Sequence, residues 1–223
     1  MAIDLPDFDR AFEYENDFYL SCHPGRLSKL LAHYELYRLA LDRPGAVVEC
    51  GVFKGASLVR WAKFRALLSN GHAQKIIGFD TFDEFPETGF EQDAELRRRF
   101  IQAAGSRSIS TDQLRTVLDR HGLNQNIDLV AGDIARTVPG YLESNPQLKI
   151  SLLVVDVDLY EATWAALDGL YDRVVPGGVV VLDDYGAFAG ANAAIDRFLE
   201  DRGVDLRKFP FASTPAYFIK GRL

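Results

Sequence analysis

The chain has 223 residues, 48% of them hydrophobic and 26% charged, and 25 basic against 32 acidic residues leave a formal net charge of -7. That length supplies one well-buried α/β core without a second domain, so residues 1–223 are read as a single domain. The acidic balance argues against a nucleic-acid partner, and no apolar run approaches the ~20 residues of a membrane-spanning helix, so no membrane partner is expected.

The opening stretch, MAIDLPDFDRAFEYEND, is acidic and aromatic and lacks both the basic start and the apolar run of a signal peptide, so export is not expected. Cys22 and Cys50 lie in unlike contexts with neither a disulfide framework nor zinc-ligand spacing, which suits reduced thiols in the cytoplasm. Leu27, Leu30, Leu31, Tyr34, Tyr37 and Leu41 recur at spacings of three and four. They predict an amphipathic helix over 27–41, inside an N-terminal helical segment of about 1–44, and Asp42-Arg43-Pro44-Gly45 stops it. AVVECGVF (46–53) then reads as a strand, Gly55 as a turn and 57–68 as a helix.

The same alternation repeats. KIIGFD (75–80), IDLVAGD (127–133), ISLLVVD (150–156) and GVVVLDD (178–184) are apolar runs ending in aspartate, separated by helical stretches at 91–104, 111–121, 135–143 and 161–174. Apolar strands alternating with helices imply a parallel sheet covered by helices on both faces. After a helix over 191–202, LRKFPF and AYFIKG flank Ala212-Ser213-Thr214-Pro215 as a hairpin-like pair, so the sheet is expected to end in an antiparallel edge. The longest strand-free segment, 81–125, carries acids, arginines and aromatics, and its 81–110 part is read as a lid or substrate-binding insertion. Arg97-Arg98-Arg99 within it reads as a solvated helix face or as a contact to an anionic substrate group.

Ligands of open parallel sheets bind outside the carboxyl ends of the strands. Glu49, Asp80, Asp133, Asp156 and the Asp183-Asp184 pair all fall at or near those ends, although each alone suits a helix cap or turn. The turn after the first strand, Glu49-Cys-Gly51-Val-Phe-Lys-Gly55, lacks the third glycine of the dinucleotide pattern. It fits a cationic cofactor without phosphate, such as S-adenosylmethionine (SAM), with Asp80 placed to accept the ribose hydroxyls. Asp156 and Asp158, two apart, share one side of an extended strand. Adjacent Asp183 and Asp184 would diverge in a strand unless the backbone turns at its exit. Several carboxylates in one crevice repel, and a hard divalent ion or a set of hydrogen-bonded caps would relieve them. Such an ion would also help an aspartate, a weak base with an ordinary pKa near ~3.9, to deprotonate an alcohol.

VDVDLYEATWAALDGLYDRVVPGGVVVLDDYG resembles the D-x-D-L-Y … P-G-G … D-D-Y-G signature of the macrocin-type (TylF/MycF-like) sugar O-methyltransferases, and ECGVFKGAS, GFDTFDEFP and GDIARTVP are similar to that family's other blocks in the same order, over roughly 26–198. The resemblance implies a Rossmann-like class I methyltransferase fold, with a seven-stranded, mostly parallel sheet in the order 3-2-1-4-5-7-6. It implies SAM and Mg2+ as cofactors, a hydroxylated, sugar-containing small-molecule acceptor, and assembly into a homo-oligomer. By motif, Asp156, Asp183 and Asp184 would bind the metal and Asp158 would act as general base. Glu49, Gly51, Gly55, Ser57, Asp80, Thr81, Phe82, Gly132, Asp133 and Asp156 would meet the cofactor. The chain departs from the family pattern at Val157, at Thr81 and in a shorter N-terminal region.

Three other functions stand beside this one: a catechol-type O-methyltransferase, which a lysine placed as base would favour, a nucleotide-binding oxidoreductase, and a non-catalytic binding protein on the same fold. Tyr160 and Tyr185 are read as acceptor-site or core aromatics, Phe79, Phe82 and Phe85 as core or lid, and Trp61 and Trp164 as core. His23, His33, His72 and His121 show no metal-ligand spacing and are expected at surface or capping positions.

Overall fold

The computed structural model describes residues 3–221. Two helices, α1 (Ala11–Ser21) and α2 (Pro24–Ala40), precede the sheet. Pro24 opens α2 and the His23 ring accepts from the Gly25 N–H, which explains why the helix starts ahead of its first periodic leucine. β1 (Ala46–Cys50), α3 (Ala56–Leu68), β2 (Ile76–Asp80), α4 (Ala94–Ala104), α5 (Thr111–Arg120), β3 (Ile127–Ala131), α6 (Ile134–Ser144), β4 (Ile150–Val155), α7 (Tyr160–Leu170), β5 (Val174–Leu182) and α8 (Ala189–Leu199) follow. β6 (Arg207–Lys208) and β7 (Ala216–Ile219) close the chain as the antiparallel pair. The seven strands form one sheet in the order β3-β2-β1-β4-β5-β7-β6, parallel except where β7 meets β5 and β6.

The period-two rule assigns the two faces. Val48 and Cys50 of β1, Leu153 and Val155 of β4, and Val180 and Leu182 of β5 pack with α6, α7 and α8. Their neighbours Val47, Leu152, Val154, Val179 and Val181 pack with α2, α3 and α5 on the other side. β5 starts at Val174 rather than 178, because Val174 pairs with Ile150 before the register shifts ahead of the Leu152–Val179 pair. The helix preceding it therefore ends at Leu170, with a single 3-10 turn over Tyr171–Arg173.

Local chemistry sets the helix starts nearest the rim. Ser110 and Gln113 form a reciprocal capping box on α5, and Asp133 caps α6 by accepting from the Ala135 N–H. Arg65, 2% exposed, donates to the carbonyls of Gln74, Leu123, Gln125 and Asn126, tying the end of α3 to the chain entering β2 and β3. No helix among the described residues is long and apolar enough to cross a membrane.

Candidate active site

Strand register gathers the acids on one rim. Cys50 pairs with Phe79 and Val155, Val155 with Leu182, and Asp80 with Ala131, so the residues that leave these strands emerge side by side. Along the rim run Gly132 and Asp133, then Asp80, Gly51, Asp156 and Asp183. Gly51 (φ 91°) passes so near β4 that a Cβ there would lie 1.7 Å from the Asp156 carbonyl oxygen.

Asp80 organises the turns around it. Its Oδ2 accepts from the N–H groups of Val52 (2.8 Å) and Phe53 (2.9 Å), and its Oδ1 accepts from Phe82 N–H (2.7 Å). One carboxylate thereby shapes both the turn after β1 and the turn after β2. A cavity of about 820 Å³ opens above the rim. Gly51, Ser57, Asp80, Thr81, Gly132, Asp133, Asp156 and Asp158 line it, whereas Glu49, Gly55, Phe82, Asp183 and Asp184 do not. Gly55 instead supplies the left-handed start of α3 (φ 83°). Glu49 points into the α2/α3 layer, where its Oε1 accepts from Trp61 Nε1 (2.9 Å) while its Oε2 is buried without a partner. Burial, only partly offset by the hydrogen bond from Trp61, pushes its pKa up to about 7.

Alternation of faces decides where the four aspartates go. Asp156 and Asp183 continue the side of their strands that meets α2, and both reach Lys29 of that helix: Nζ lies 2.6 Å from Asp183 Oδ2 and 3.4 Å from Asp156 Oδ2. Asp184 turns the opposite way and accepts from the Asp158 N–H (2.8 Å). Asp158 itself has φ 60°, an uncommon conformation for a non-glycine residue and one that aims its carboxyl back at the rim. The adjacent pair thus diverges as a strand demands, and carboxylate oxygens of Asp156, Asp158 and Asp184 lie within 4.8 Å of one another. Asp183 stands apart, with its Oδ1 buried, unpartnered and 3.9 Å from His33 Nε2.

The electrostatics follow this geometry. Burial, then repulsion by Asp183, raises Asp156 well above its usual range, and burial, then Asp158, does the same to Asp184. Burial and Asp156 lift Asp158 to about 7. Burial would raise Asp183 as well, but His33 and Lys29 hold it down at about 2. Burial works against the charge on Lys29, yet Asp156 and Asp183 outweigh it and raise its pKa, so the side chain stays an ammonium. One ammonium does not balance four carboxylates. An all-oxygen donor set with a surplus of negative charge suits a hard divalent ion.

His33 is a correction to its expected surface or capping position: it is fully buried, stacked on Trp61 with ring centroids 4.5 Å apart, and burial pushes its pKa down to about 4. Lys29, His33 and Arg60, which line or adjoin the rim, were not found among the sequence candidates. A polar stripe at 26, 29 and 33 on α2, spaced i, i+3, i+7, was the available signal.

The chain after β2 forms one side of the cavity. Phe85, Pro86, Glu87 and Gly89 line it, and Arg97 donates to the Phe85 and Pro86 carbonyls and to Glu87. Glu161 at the start of α7 accepts from Gly89 N–H (2.9 Å) and Thr88 Oγ1 (3.1 Å). Phe90 stacks on Tyr160 at 5.1 Å. Arg98 and Arg99 instead pair with Glu95 on an exposed helix face.

The strand order, the glycine turn after β1 and an acid closing β2 define the fold of a class I methyltransferase. The family model described as macrocin-O-methyltransferase (TylF) matches residues 26–219, and the chain belongs to that family. It is 32% identical over 163 residues, 71% of this chain, to the 8-demethyl-8-(2,3-dimethoxy-alpha-L-rhamnosyl)-tetracenomycin-C 4'-O-methyltransferase of Streptomyces olivaceus. It is 25% identical over 168 residues, 72% of this chain, to the mycinamicin III 3''-O-methyltransferase of Micromonospora griseorubida. These matches span 59% and 63% of the relatives' own lengths. The crystal structure of CalS11, a calicheamicin methyltransferase, superposes with a TM-score of 0.79 at 32% identity, covering 95% of this chain and 86% of that one.

Proposed function

We propose that the protein is a SAM-dependent O-methyltransferase that methylates a hydroxyl of a sugar or sugar-bearing small molecule, with Mg2+ held at the acidic rim. The observation that carries this reading is the trio Asp156, Asp158 and Asp184, whose oxygens cluster within 4.8 Å at the edge of a cavity that also contains Asp80 and Gly51. When bound, SAM supplies an electrophilic methyl and the divalent ion supplies Lewis acidity toward the acceptor hydroxyl.

The chain's own residues do the rest. Gly51 lets a ligand approach the backbone, and Asp80 and Asp133 line the same cavity, which supports a ribose site at that end. Asp156 and Asp184 are the shared members of both metal sets that the rim offers. Asp183, the third member by family motif, is occupied by Lys29, whereas Asp158 is within reach as a third oxygen donor. Asp158 also suits a base: burial beside Asp156 brings its pKa to about 7, near the working pH of a proton acceptor. The segment 81–110 acts as a lid, latched by Glu161, that excludes water from the reacting groups. Two free cysteines, one of them buried, support a cytoplasmic setting.

The catechol-type alternative calls for a neutral lysine as base. Lys29 and Lys54 both line the cavity; the carboxylate partners of Lys29 keep it protonated, and Lys54 Nζ donates to the Ala104 carbonyl (2.6 Å). Methyl transfer from SAM to nucleoside-diphosphate sugars, glycosylated natural products and catechols, after chelation and with Mg2+ restored, tests the proposal. Sugar-hydroxyl methylation that returns with Mg2+ is expected. Methylation of catechols alone, or a protein that does not bind SAM, contradicts it.

A further inference from the structure

Two cations on the cavity wall remain without a role. Arg60 comes from the second turn of α3, one turn beyond Ser57 on the same face, and Arg26 from the first turn of α2; both line the cavity. Arg60 Nη1 lies 3.0 Å from Nδ1 of His33, a ring that burial keeps neutral at ordinary pH, and among the described residues no carboxylate is hydrogen-bonded to its guanidinium. The Arg26 backbone N–H donates to the His23 carbonyl, and its side chain makes no hydrogen bond or ion pair with any described residue. Burial lowers the pKa of Arg60, the negative charge of Glu49 opposes that, the positive charge of Arg26 adds to the lowering, and Asp183 and Asp156 again oppose it. In a chain with surplus acid, two neighbouring guanidiniums face a cavity with most of their donors unpaired. Glu49, Asp183 and Asp156 act on Arg60 through space, yet none of them hydrogen-bonds its guanidinium, so its donors stay open to an anionic group that enters the cavity.

We propose that Arg60, assisted by Arg26, forms an anion-binding subsite at the α2/α3 end of the cavity, taking a carboxylate or phosphate group of a bound ligand. Arg60 acts on Asp156 and Asp183, which leave β4 and β5, whereas Asp80 and Gly132 leave β2 and β3 farther along the rim. If a nucleoside occupies the Asp80 end, the opposite end receives whatever is joined to the ribose 5' position. For SAM that is the methionyl group, whose α-carboxylate is its one anionic group. A diphosphate-bearing acceptor would present the same chemistry from another source. The proposal rests on the functional reading above for the identity of the ligand, and on the arginine geometry alone for the existence of the subsite.

Calorimetric titration with three probes separates these possibilities: S-adenosylhomocysteine, which carries the carboxylate, 5'-methylthioadenosine, which keeps the nucleoside and thioether but lacks the amino-acid group, and dTDP. Arg60→Met should weaken S-adenosylhomocysteine binding by roughly 10- to 100-fold, the range of one charge-assisted contact, and leave 5'-methylthioadenosine unchanged. Arg60→Lys should restore part of the loss, which a merely structural role for the side chain would not produce, and Arg26→Met should show a smaller loss. A loss confined to dTDP assigns the subsite to an acceptor phosphate instead. Affinities for both anionic probes within about twofold of wild type in folded Arg60→Met and Arg26→Met proteins overturn the subsite. A wild-type protein that binds dTDP through Arg60 but not S-adenosylhomocysteine overturns the SAM reading and keeps the subsite, and one that binds neither overturns both.

Discussion

Asp80→Asn is the sharpest test of how the rim is built. The carboxylate spends both oxygens on three backbone N–H groups, Val52 and Phe53 on Oδ2 and Phe82 on Oδ1, and the residue is only 9% exposed. An asparagine keeps one oxygen. Set toward Val52 and Phe53, it turns its NH2 against the Phe82 N–H, and set the other way it leaves two donors facing donors. Each unpaired buried donor costs about 1–3 kcal/mol, and the surviving bonds lose their charge assistance, so the total is roughly 3 kcal/mol or more. For a chain of this size that is a fall in melting temperature of roughly 6–12 °C. Because the same bonds shape the turn carrying Gly51, S-adenosylhomocysteine affinity should drop by about tenfold or more in calorimetric titration. A variant that melts within about 1 °C of wild type and binds the ligand equally well would refute the assignment of Asp80 as the organiser of both turns.

Asp158→Asn should abolish methyl transfer while leaving S-adenosylhomocysteine affinity intact; retained metal affinity marks Asp158 as a base, lost metal affinity marks it as a ligand, and undiminished turnover removes it from the reaction. Burial pushes the Glu49 carboxyl up from its ordinary 4.5 to about 7 in the folded chain. The folded state therefore holds the proton more tightly, and stability present below the unfolded pKa is lost as pH rises toward 7, by about 3 kcal/mol. Glu49→Gln should remove that loss, so urea unfolding at pH 4.5 and pH 8 should show the variant gaining on wild type only at the higher pH, and an equal difference at both would be inconsistent with a buried, titrating Glu49. Gly51→Ala would drive a Cβ into the Asp156 carbonyl at 1.7 Å from a backbone with φ 91°, at a cost of roughly 2–5 kcal/mol. A Gly51→Ala protein with wild-type melting and ligand affinity would contradict the close approach of β1 and β4 ends.

Apolar runs ending in aspartate made the sheet legible, because strand burial and a functional carboxyl edge both leave marks in the local sequence. The divergence of Asp183 and Asp184 was equally open to the period-two rule, and the structure follows it: one meets Lys29, the other meets Asp158. Two features depended on tertiary placement. The stripe of Arg26, Lys29 and His33 marks a polar face of α2, but what that face meets is set only when the helix docks on the sheet. Asp93 reads as part of a helix over 91–104, yet it is buried and accepts from Gly190 N–H (2.7 Å) and Tyr160 N–H (3.3 Å), joining the starts of α7 and α8 to the segment ahead of α4. Its partners lie 97 and 67 residues away, beyond the reach of any periodicity.

Titration of the chelator-treated protein with Mn2+, followed by electron paramagnetic resonance in wild type and in Asp184→Asn, addresses the rim most directly. One bound ion per wild-type chain, with affinity reduced by about tenfold or more in the variant, is the predicted result. Absence of binding in wild type, or equal binding in both proteins, would contradict an ion seated among Asp156, Asp158 and Asp184.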